Sequence, residues 1–310
     1  MITDKNGNFF LNLGNNTPVR TFGPKELFGS NIEIHVDGSS TRDIFTDTGT
    51  TANINPSGLS IVNRINDISG KNRHFYLYGA NYYQSSFKQI GTPSLFYSYF
   101  TGNTLDTNKG FVVYTSTTTL YGLLSPTTPS GSFPNRGVFS GTSALTLCTY
   151  ASINASTTQG FHPFGIAYVG YSGSNDNVIV GLGKAGTLKG LGPNVLQVSL
   201  KRTLYTIPID LVQYHNTYHM YTLTLTGLNY SVYIDNNLVF NGTAVAALTY
   251  PLNGSSGSFE SNYFEYNVAQ VSNSFQHSPF QVAESFITLE CATPEKVGLL
   301  YDYFRRKYKN

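Results

Sequence analysis

Alternating apolar runs between residues 219 and 240 constrain the fold more than any other feature of the chain. Three apolar residues alternate with threonines in the first run, and three more alternate with polar residues in the second: Tyr221, Leu223, Leu225, Tyr230, Val232 and Ile234. Short turns rich in Asn, Asp and Gly, at residues 227–229 and 235–237, separate these runs and lead into a third at 238–240. Because successive strand residues point to opposite faces, this pattern predicts an antiparallel meander with one buried face.

The same kind of short run recurs along the rest of the chain. Candidate strands at 32–36, 62–66, 111–114, 178–182 and 196–200 lie between clusters of Gly, Asn, Asp and Ser. Such spacing is typical of an all-β sandwich. We therefore predict an all-β fold, a two-sheet antiparallel β-sandwich.

The composition supports a folded β-protein and limits its partners. Charged residues make up only 12% of the 310 residues, but 23 Tyr and 21 Phe are present. Disordered chains are poor in aromatic residues, so a disordered chain is excluded. A net charge of +2 is too small to gather nucleic acid or an anionic membrane. We expect neither nucleic-acid binding nor membrane insertion.

One amphipathic helix is predicted at the C-terminal end. Thr293 suits the N-cap and Pro294 the first helical position. An apolar stripe follows at three-to-four spacing: Val297, Leu300, Tyr301, Phe304 and Tyr308. Its last turn carries a basic run, residues 305–309, which complements the helix dipole; a nucleic-acid-binding tail is the alternative interpretation.

The chain is predicted to consist of a short arm, residues 1–27, and one sandwich domain, residues 28–310. The arm is dense in Asn, Gly, Thr and Pro, with a candidate strand at 9–13, and either docks on a partner or packs on the sandwich. The N-terminus has no apolar signal-peptide region, so synthesis in a cytoplasm is expected. Cys148 and Cys291 are expected to be free, buried thiols, with one disulfide as the alternative.

Two stretches resemble the concanavalin A-like, laminin-G-like jelly-roll domains found in phage and large-virus proteins. The first, residues 32–74, contains a strand that ends at Asp37 and an Asp–Ile–Ser–Gly turn, residues 67–70, followed by Asn72 and His74. The second runs from Tyr218 to the C-terminus and contains the hairpin 231–238, an Ala–Glu strand at 282–287 and the closing helix. Together they cover a little under half of the chain.

The chain departs from this family at its usual tryptophans. It contains no Trp, and His35 and Ile65 stand in those places. The resemblance implies a jelly roll with a short C-terminal helix, and it implies a virion structural or surface protein such as a capsid decoration, fibre or attachment component. Other virion proteins and identical subunits would be its partners. A soluble carbohydrate-binding lectin module and a jelly-roll glycoside hydrolase are the alternatives.

The sequence shows no catalytic residues, and we expect no enzymatic activity. Glycoside hydrolysis needs two carboxylates close together on one face. Glu260 and Glu265 would lie on opposite faces of a strand, and Glu284 and Glu290 would lie about 20 Å apart. A Ser/His/Asp triad is visible only in three dimensions.

Two further motifs receive structural interpretations. His215 and His219 have the spacing of a helical zinc pair, but the glutamate expected after the first is Asn216, so we expect no metal there. The glycine-rich segments 181–186 and 190–192 lack the P-loop spacing and are expected to form turns.

Calcium is the one cofactor that the resemblance allows. Candidate ligands are Asp37, Asp43 and Asp47, with Asp67 nearby. Calcium requires six to eight oxygens, and no dense acidic cluster appears. We therefore expect no cofactor, and these aspartates are expected to stabilise turns.

Glycan binding needs only aromatic rings for stacking and polar groups for the sugar hydroxyls. The candidate residues are tyrosines in turn-rich sequence, together with the aspartate of the resembling turn: Tyr76, Tyr78, Tyr82, Tyr83 and Asp67. Tyr97 and Tyr99 share this setting. The alternative is that these tyrosines pack the strands. We predict a non-enzymatic virion surface protein, with a cell-surface glycan as a candidate ligand.

Overall fold

The computed structural model describes part of the chain. The described residues are 2–3, 9–12, 18–20, 22–38, 40–45, 60–61, 64–72, 74–79, 95–99, 109–113, 121–125, 142–153, 161–169, 178–184, 195–200, 203–215, 217–248, 261–268 and 280–308. They form strands β1 to β21 and helices α1 (Pro24–Phe28) and α2 (Pro294–Tyr308), numbered in chain order. Short 3-10 turns lie at Gly29–Asn31, Thr41–Asp43 and Leu211–Tyr214.

Two nine-stranded antiparallel sheets dominate the structure. The first sheet contains β4 (Ile32–Asp37), β6 (Ser60–Ile61), β9 (Leu95–Tyr99), β10 (Lys109–Val113), β12 (Ala144–Ile153), β17 (Tyr218–Thr226), β18 (Asn229–Ile234), β19 (Asn237–Thr243) and β21 (Phe280–Thr288). The second contains β5 (Ile44–Phe45), β7 (Arg64–Ile65), β8 (Phe75–Gly79), β11 (Tyr121–Ser125), β13 (Phe161–Val169), β14 (Val178–Lys184), β15 (Val195–Leu200), β16 (Thr203–Asp210) and β20 (Ser261–Val268).

The predicted meander is present with the predicted turns. Strands β17, β18 and β19 pair in sequence, with Thr226 opposite Asn229 and Ile234 opposite Asn237. Within the predicted strand at 62–66, Arg64 and Ile65 form β7, and residues 62–63 lie outside the described residues. The arm's predicted strand is β2 (Phe9–Asn12), which pairs with β1 (Ile2–Thr3) and β3 (Pro18–Arg20) in a small antiparallel sheet.

A shared apolar core joins the two large sheets. The first sheet contributes residues such as Leu147 and Leu223, and the second contributes Val180 and Val198, all of them buried in one cluster. Because side chains alternate along each strand, one face of each sheet lines this core. The β-sandwich prediction is confirmed.

Helix α2 lies on the other face of the first sheet and makes a second core. Its stripe Val297, Leu300, Phe304 and Tyr308 is buried. The Tyr150 ring of β12 stacks on Phe304 and on Tyr308, with ring centroids 5.0 Å apart in both cases. The helix begins as predicted, with the Thr293 hydroxyl accepting from the Lys296 N–H at 3.3 Å. Because both faces are covered, residues 145–152 of β12 are all buried instead of alternating.

Candidate functional site

One row of residues crosses all nine strands of the second sheet on the face that points away from the shared core. In strand order the row contains Phe45, Arg64, Tyr76, Leu124, Glu265, Gly165, Gly181, Ser199 and Leu204. Directly paired residues share a face of the sheet. The neighbours Ile44, Ile65, Val180 and Val198 lie in the shared core. The row therefore belongs to the opposite face, which we call the outer face.

Glycines are concentrated on this outer face. Gly165 and Gly181 are paired in the row, Gly183 lies two residues farther along β14, and Gly122 is paired with Tyr78. Glycine weakens a strand interior and often marks a place where a ligand or another backbone comes close to the sheet. Gly181 is itself buried, so the positions on this face that favour the close approach of a ligand are Gly122 and Gly165.

The outer face is covered at its β15 end. Ser199 and Gln197 are both 0% exposed, and no hydrogen-bond partner of the Gln197 side-chain amide occurs among the described residues. Arg64, at the opposite end of the row, is half-buried, and its guanidinium lies 5.8 Å from the centroid of the Phe45 ring. Phe45, at the β5 edge, is only 4% exposed, so the outer face is covered at that edge as well. A ligand on this face would therefore lie between the two ends, over β8, β11 and β20.

The structure divides the predicted glycan-binding tyrosines. Tyr76 and Tyr78 occupy alternate positions of β8, so both belong to the outer face. Tyr97 and Tyr99 occupy β9 positions on the same face of the first sheet as Phe111 and Val282, the face toward the shared core. Tyr82 and Tyr83 lie outside the described residues.

Asp67 binds its own loop. Its Oδ1 accepts the N–H of His35 at 3.0 Å and that of Ser69 at 2.9 Å, and its Oδ2 accepts the Ser69 hydroxyl at 2.7 Å. The side chain is buried, and the Asp67 N–H donates to His74 Nδ1 at 3.1 Å. The Asp–Ile–Ser–Gly turn therefore attaches the β7–β8 connection to β4.

The two calcium candidates within the described residues have different partners. Asp37 pairs with Lys307, with 2.6 Å between Oδ2 and Nζ, whereas Asp43 accepts the Ser40 hydroxyl at 2.7 Å. Asp47 lies outside the described residues. Among the residues that the structure describes, no group of three or more His, Cys, Asp or Glu side chains could hold a metal ion.

A buried charged cluster lies between α2 and the first sheet. Glu284 is 0% exposed, and one of its oxygens lies 2.6 Å from Lys307 Nζ while the other lies 2.7 Å from His35 Nε2. The Tyr303 and Tyr308 hydroxyls also donate to this carboxylate, at 3.1 and 3.2 Å. A β-bulge at Ala283 directs Glu284 to the helix side, where it anchors the helix.

Acid is expected to weaken this anchor. Burial alone would raise the pKa of Glu284, but Lys307 and His35 overcome it and lower the pKa from 4.5 to about 2. The unfolded carboxyl holds its proton more tightly, so the stabilisation is complete above about pH 4.5 and is lost as the pH falls toward 2. The contribution of Glu284 to the free energy of unfolding should therefore fall by about 2 kcal/mol between pH 6 and pH 3. Urea unfolding at both pH values should show that Glu284→Gln removes this component; an equal pH dependence in the variant would contradict the assignment.

The two histidines of the predicted i, i+4 spacing have different surroundings. His219 Nδ1 lies 2.8 Å from Asp235 Oδ2, and its Nε2 lies 2.8 Å from the Thr217 hydroxyl. His215 is buried beside the turn that precedes β17. No local sequence pattern predicts the grouping of His219 with Asp235, because the β17–β18 hairpin creates it across 16 residues.

The glycine-rich segments and the two cysteines complete the set of sequence motifs. Residues 181–184 belong to β14 rather than to a turn, and 185–186 and 190–192 lie outside the described residues. Cys148 and Cys291 are both free; Cys148 is buried as expected, but Cys291 is only partly buried. Burial raises the pKa of the Cys148 thiol, so it stays protonated. Among the described residues, no helix is long and apolar enough to cross a membrane.

Comparisons with known proteins identify the fold. No family model and no curated sequence matches the chain. By structure it is similar to Trypanosoma rangeli sialidase in complex with sialic acid, with a TM-score of 0.50 and 11% identity over 89% of this chain and 33% of that one. It is also similar to the crystal structure of a mutant of HCR D/C VPI 5995, with a TM-score of 0.50 and 11% identity over 88% of this chain and 53% of that one.

The botulinum neurotoxin serotype D binding domain matches with a TM-score of 0.48 and 10% identity over 89% of this chain and 51% of that one. The chain thus spans between a third and about half of the length of these three structures. At such low identity the similarity concerns the fold alone. The similarity agrees with the fold that the structure shows, an antiparallel β-sandwich with a short C-terminal helix.

Proposed function

We propose that this chain is a glycan-binding surface or attachment protein of a virus particle that binds its glycan without hydrolysing it. The proposal of glycan binding is supported by the outer row, in which the positions of Arg64, Tyr76 and Glu265 share one face with the glycine positions. Those residue types supply a cation, an aromatic ring and a hydrogen-bond acceptor. The virion part rests on the resemblance to phage and large-virus jelly rolls.

The spacing of the row suits an oligosaccharide. The positions of Tyr76 and Glu265 are two strand spacings apart, which is about 10 Å and comparable to a disaccharide. Glycine positions on β13 and on β11 leave the sheet backbone free for a flat sugar ring to approach. The Arg64 position beside Tyr76 favours a sugar that carries a carboxylate. Sialic acid, which the similar sialidase binds, is therefore the first probe.

Alanine at Tyr76 or Tyr78 is expected to weaken glycan binding about tenfold, because each change removes a stacking ring. The measurement is a glycan array that includes sialylated oligosaccharides, followed by titration of the strongest ligand. Tyr301→Ala, on α2 and far from the outer face, is the matched control and should bind normally. Unchanged binding by both Tyr76→Ala and Tyr78→Ala would rule out this face.

Two companion assays separate the alternatives. If glycan binding disappears in EDTA, the protein is a calcium-dependent lectin and the proposed metal-free site is wrong. If reducing sugar is released, the protein is a glycoside hydrolase and the proposal of binding without hydrolysis is wrong. Capsid, portal or tail genes beside this gene would support the virion role. A gene surrounded by cellular metabolic genes, with no structural virus gene, would instead favour a soluble lectin.

A further inference from the structure

Three polar side chains near the start of β17 form a continuous hydrogen-bonded chain. The Thr217 hydroxyl lies 2.8 Å from His219 Nε2, and His219 Nδ1 lies 2.8 Å from Asp235 Oδ2. A hydroxyl on one imidazole nitrogen and a carboxylate on the other is the arrangement that activates a hydroxyl nucleophile. Thr217 is exposed, so a substrate can reach it.

The carboxylate is fixed by the backbone. Asp235 Oδ1 accepts the Met220 N–H at 3.0 Å, and the Asp235 N–H donates to the Met220 carbonyl at 2.7 Å. Asp235 is the first residue of the two-residue turn between β18 and β19, with a φ of 56° that few non-glycine residues adopt. The carboxylate therefore keeps its position relative to the strand that carries His219.

The imidazole is fixed by two rings. Tyr214 meets His219 edge-on with centroids 5.1 Å apart, and Tyr221 meets it at 6.4 Å. The side chains of His219 and Asp235 are each 19% exposed, so the hydrogen bond between them is partly shielded from water. Held in this way, the ring presents Nε2 to the hydroxyl while Nδ1 keeps the carboxylate.

We propose that Thr217, His219 and Asp235 form an acyl-transfer site that cleaves small carboxylic esters. The Thr217 oxygen attacks the ester carbonyl while its proton passes to His219 Nε2, and Asp235 positions the resulting imidazolium. The carbon–oxygen bond to the alcohol then breaks, and His219 returns the proton to the departing alcohol. Water, deprotonated by His219, attacks the acyl-threonine and releases the carboxylic acid, with the proton restored to Thr217.

The test uses 4-nitrophenyl acetate and the full chain, with Thr217→Val as the variant that keeps the side-chain shape but removes the hydroxyl. The wild type should release 4-nitrophenol at least about 100-fold faster than Thr217→Val, and Thr217→Ser should retain activity. Mass spectrometry of the quenched reaction should locate one acetyl group on the peptide that contains Thr217. Thr243→Ala, which removes another exposed threonine hydroxyl from a hairpin, is the matched control and should react as the wild type does.

The positioning role of Asp235 has its own readout. Asp235→Asn should lower the acylation rate and shift its dependence on pH, because the amide no longer stabilises the imidazolium. A purely structural role for the three residues predicts no acetyl-threonine and equal rates for the wild type and Thr217→Val. That result would overturn the proposal.

Discussion

Replacing Lys307 by methionine is expected to lower the free energy of unfolding by about 3–5 kcal/mol, because it removes the cation that compensates a buried carboxylate. Glu284 is 0% exposed, and Lys307 Nζ lies 2.6 Å both from its Oε2 and from Asp37 Oδ2. Burial lowers the pKa of Lys307, but the two carboxylates raise it by more. The net pKa is therefore above its usual value, and the amine stays charged at all ordinary pH values. Methionine matches the length of the lysine stem but cannot pair with either carboxylate.

Arg306→Met is the control for this prediction. Arg306 is the neighbouring residue of the same helix and is exposed, so its replacement removes the same charge and should change stability by less than about 0.5 kcal/mol. Denaturant unfolding, followed by tyrosine fluorescence and by circular dichroism, gives both values. Equal stabilities for the two variants would mean that Glu284 does not depend on the helix for its counter-charge.

Replacing Phe304 by alanine is expected to cost about 3–5 kcal/mol, the usual result of truncating a fully buried aromatic residue. Phe304 is 0% exposed, and its ring stacks on Tyr150 with an angle of 4° between the ring planes. The Tyr303 ring also meets it, with centroids 5.1 Å apart. The cavity would open where the helix lies on the first sheet.

Asp302→Ala tests whether any change in this part of α2 has the same effect. Asp302 is exposed, and alanine favours helix, so stability should stay within about 0.5 kcal/mol of the wild type. Thermal unfolding of the two variants gives the comparison. A Phe304→Ala protein as stable as the wild type would contradict the docking of α2 on the sheet.

Local patterns explain why much of the fold could be predicted. The hairpin 218–243 and the helix 294–308 are each specified within a short stretch, by alternation and Asn/Gly turns in one case and by a Thr–Pro start and an apolar stripe in the other. The two-face burial of β12 could not be predicted, because it depends on a helix about 150 residues away in the sequence.

Most of the candidate site residues lie close together only because strands that are distant in the sequence pair in one register. Tyr76, Glu265 and Gly165 share a face only because β8, β11, β20 and β13 pair in one particular register. A shift of one residue would reverse the faces, and no local signal fixes the register of strands so far apart. The spacing of two residues between Thr217 and His219 predicts that they share a face of a strand. Asp235 reaches them only through the β17–β18 hairpin, which their spacing does not reveal.

The proposed glycan-binding face of the second sheet is tested most directly by chemical-shift mapping with a sialylated oligosaccharide. Titration into isotope-labelled protein should shift the amide resonances of the outer row, above all those of Gly122, Gly165 and Glu265, together with their neighbours on β8. Shifts confined to α2 and to the β17–β18 turn, with the glycine signals of the second sheet unmoved at saturation, would contradict the proposed glycan site.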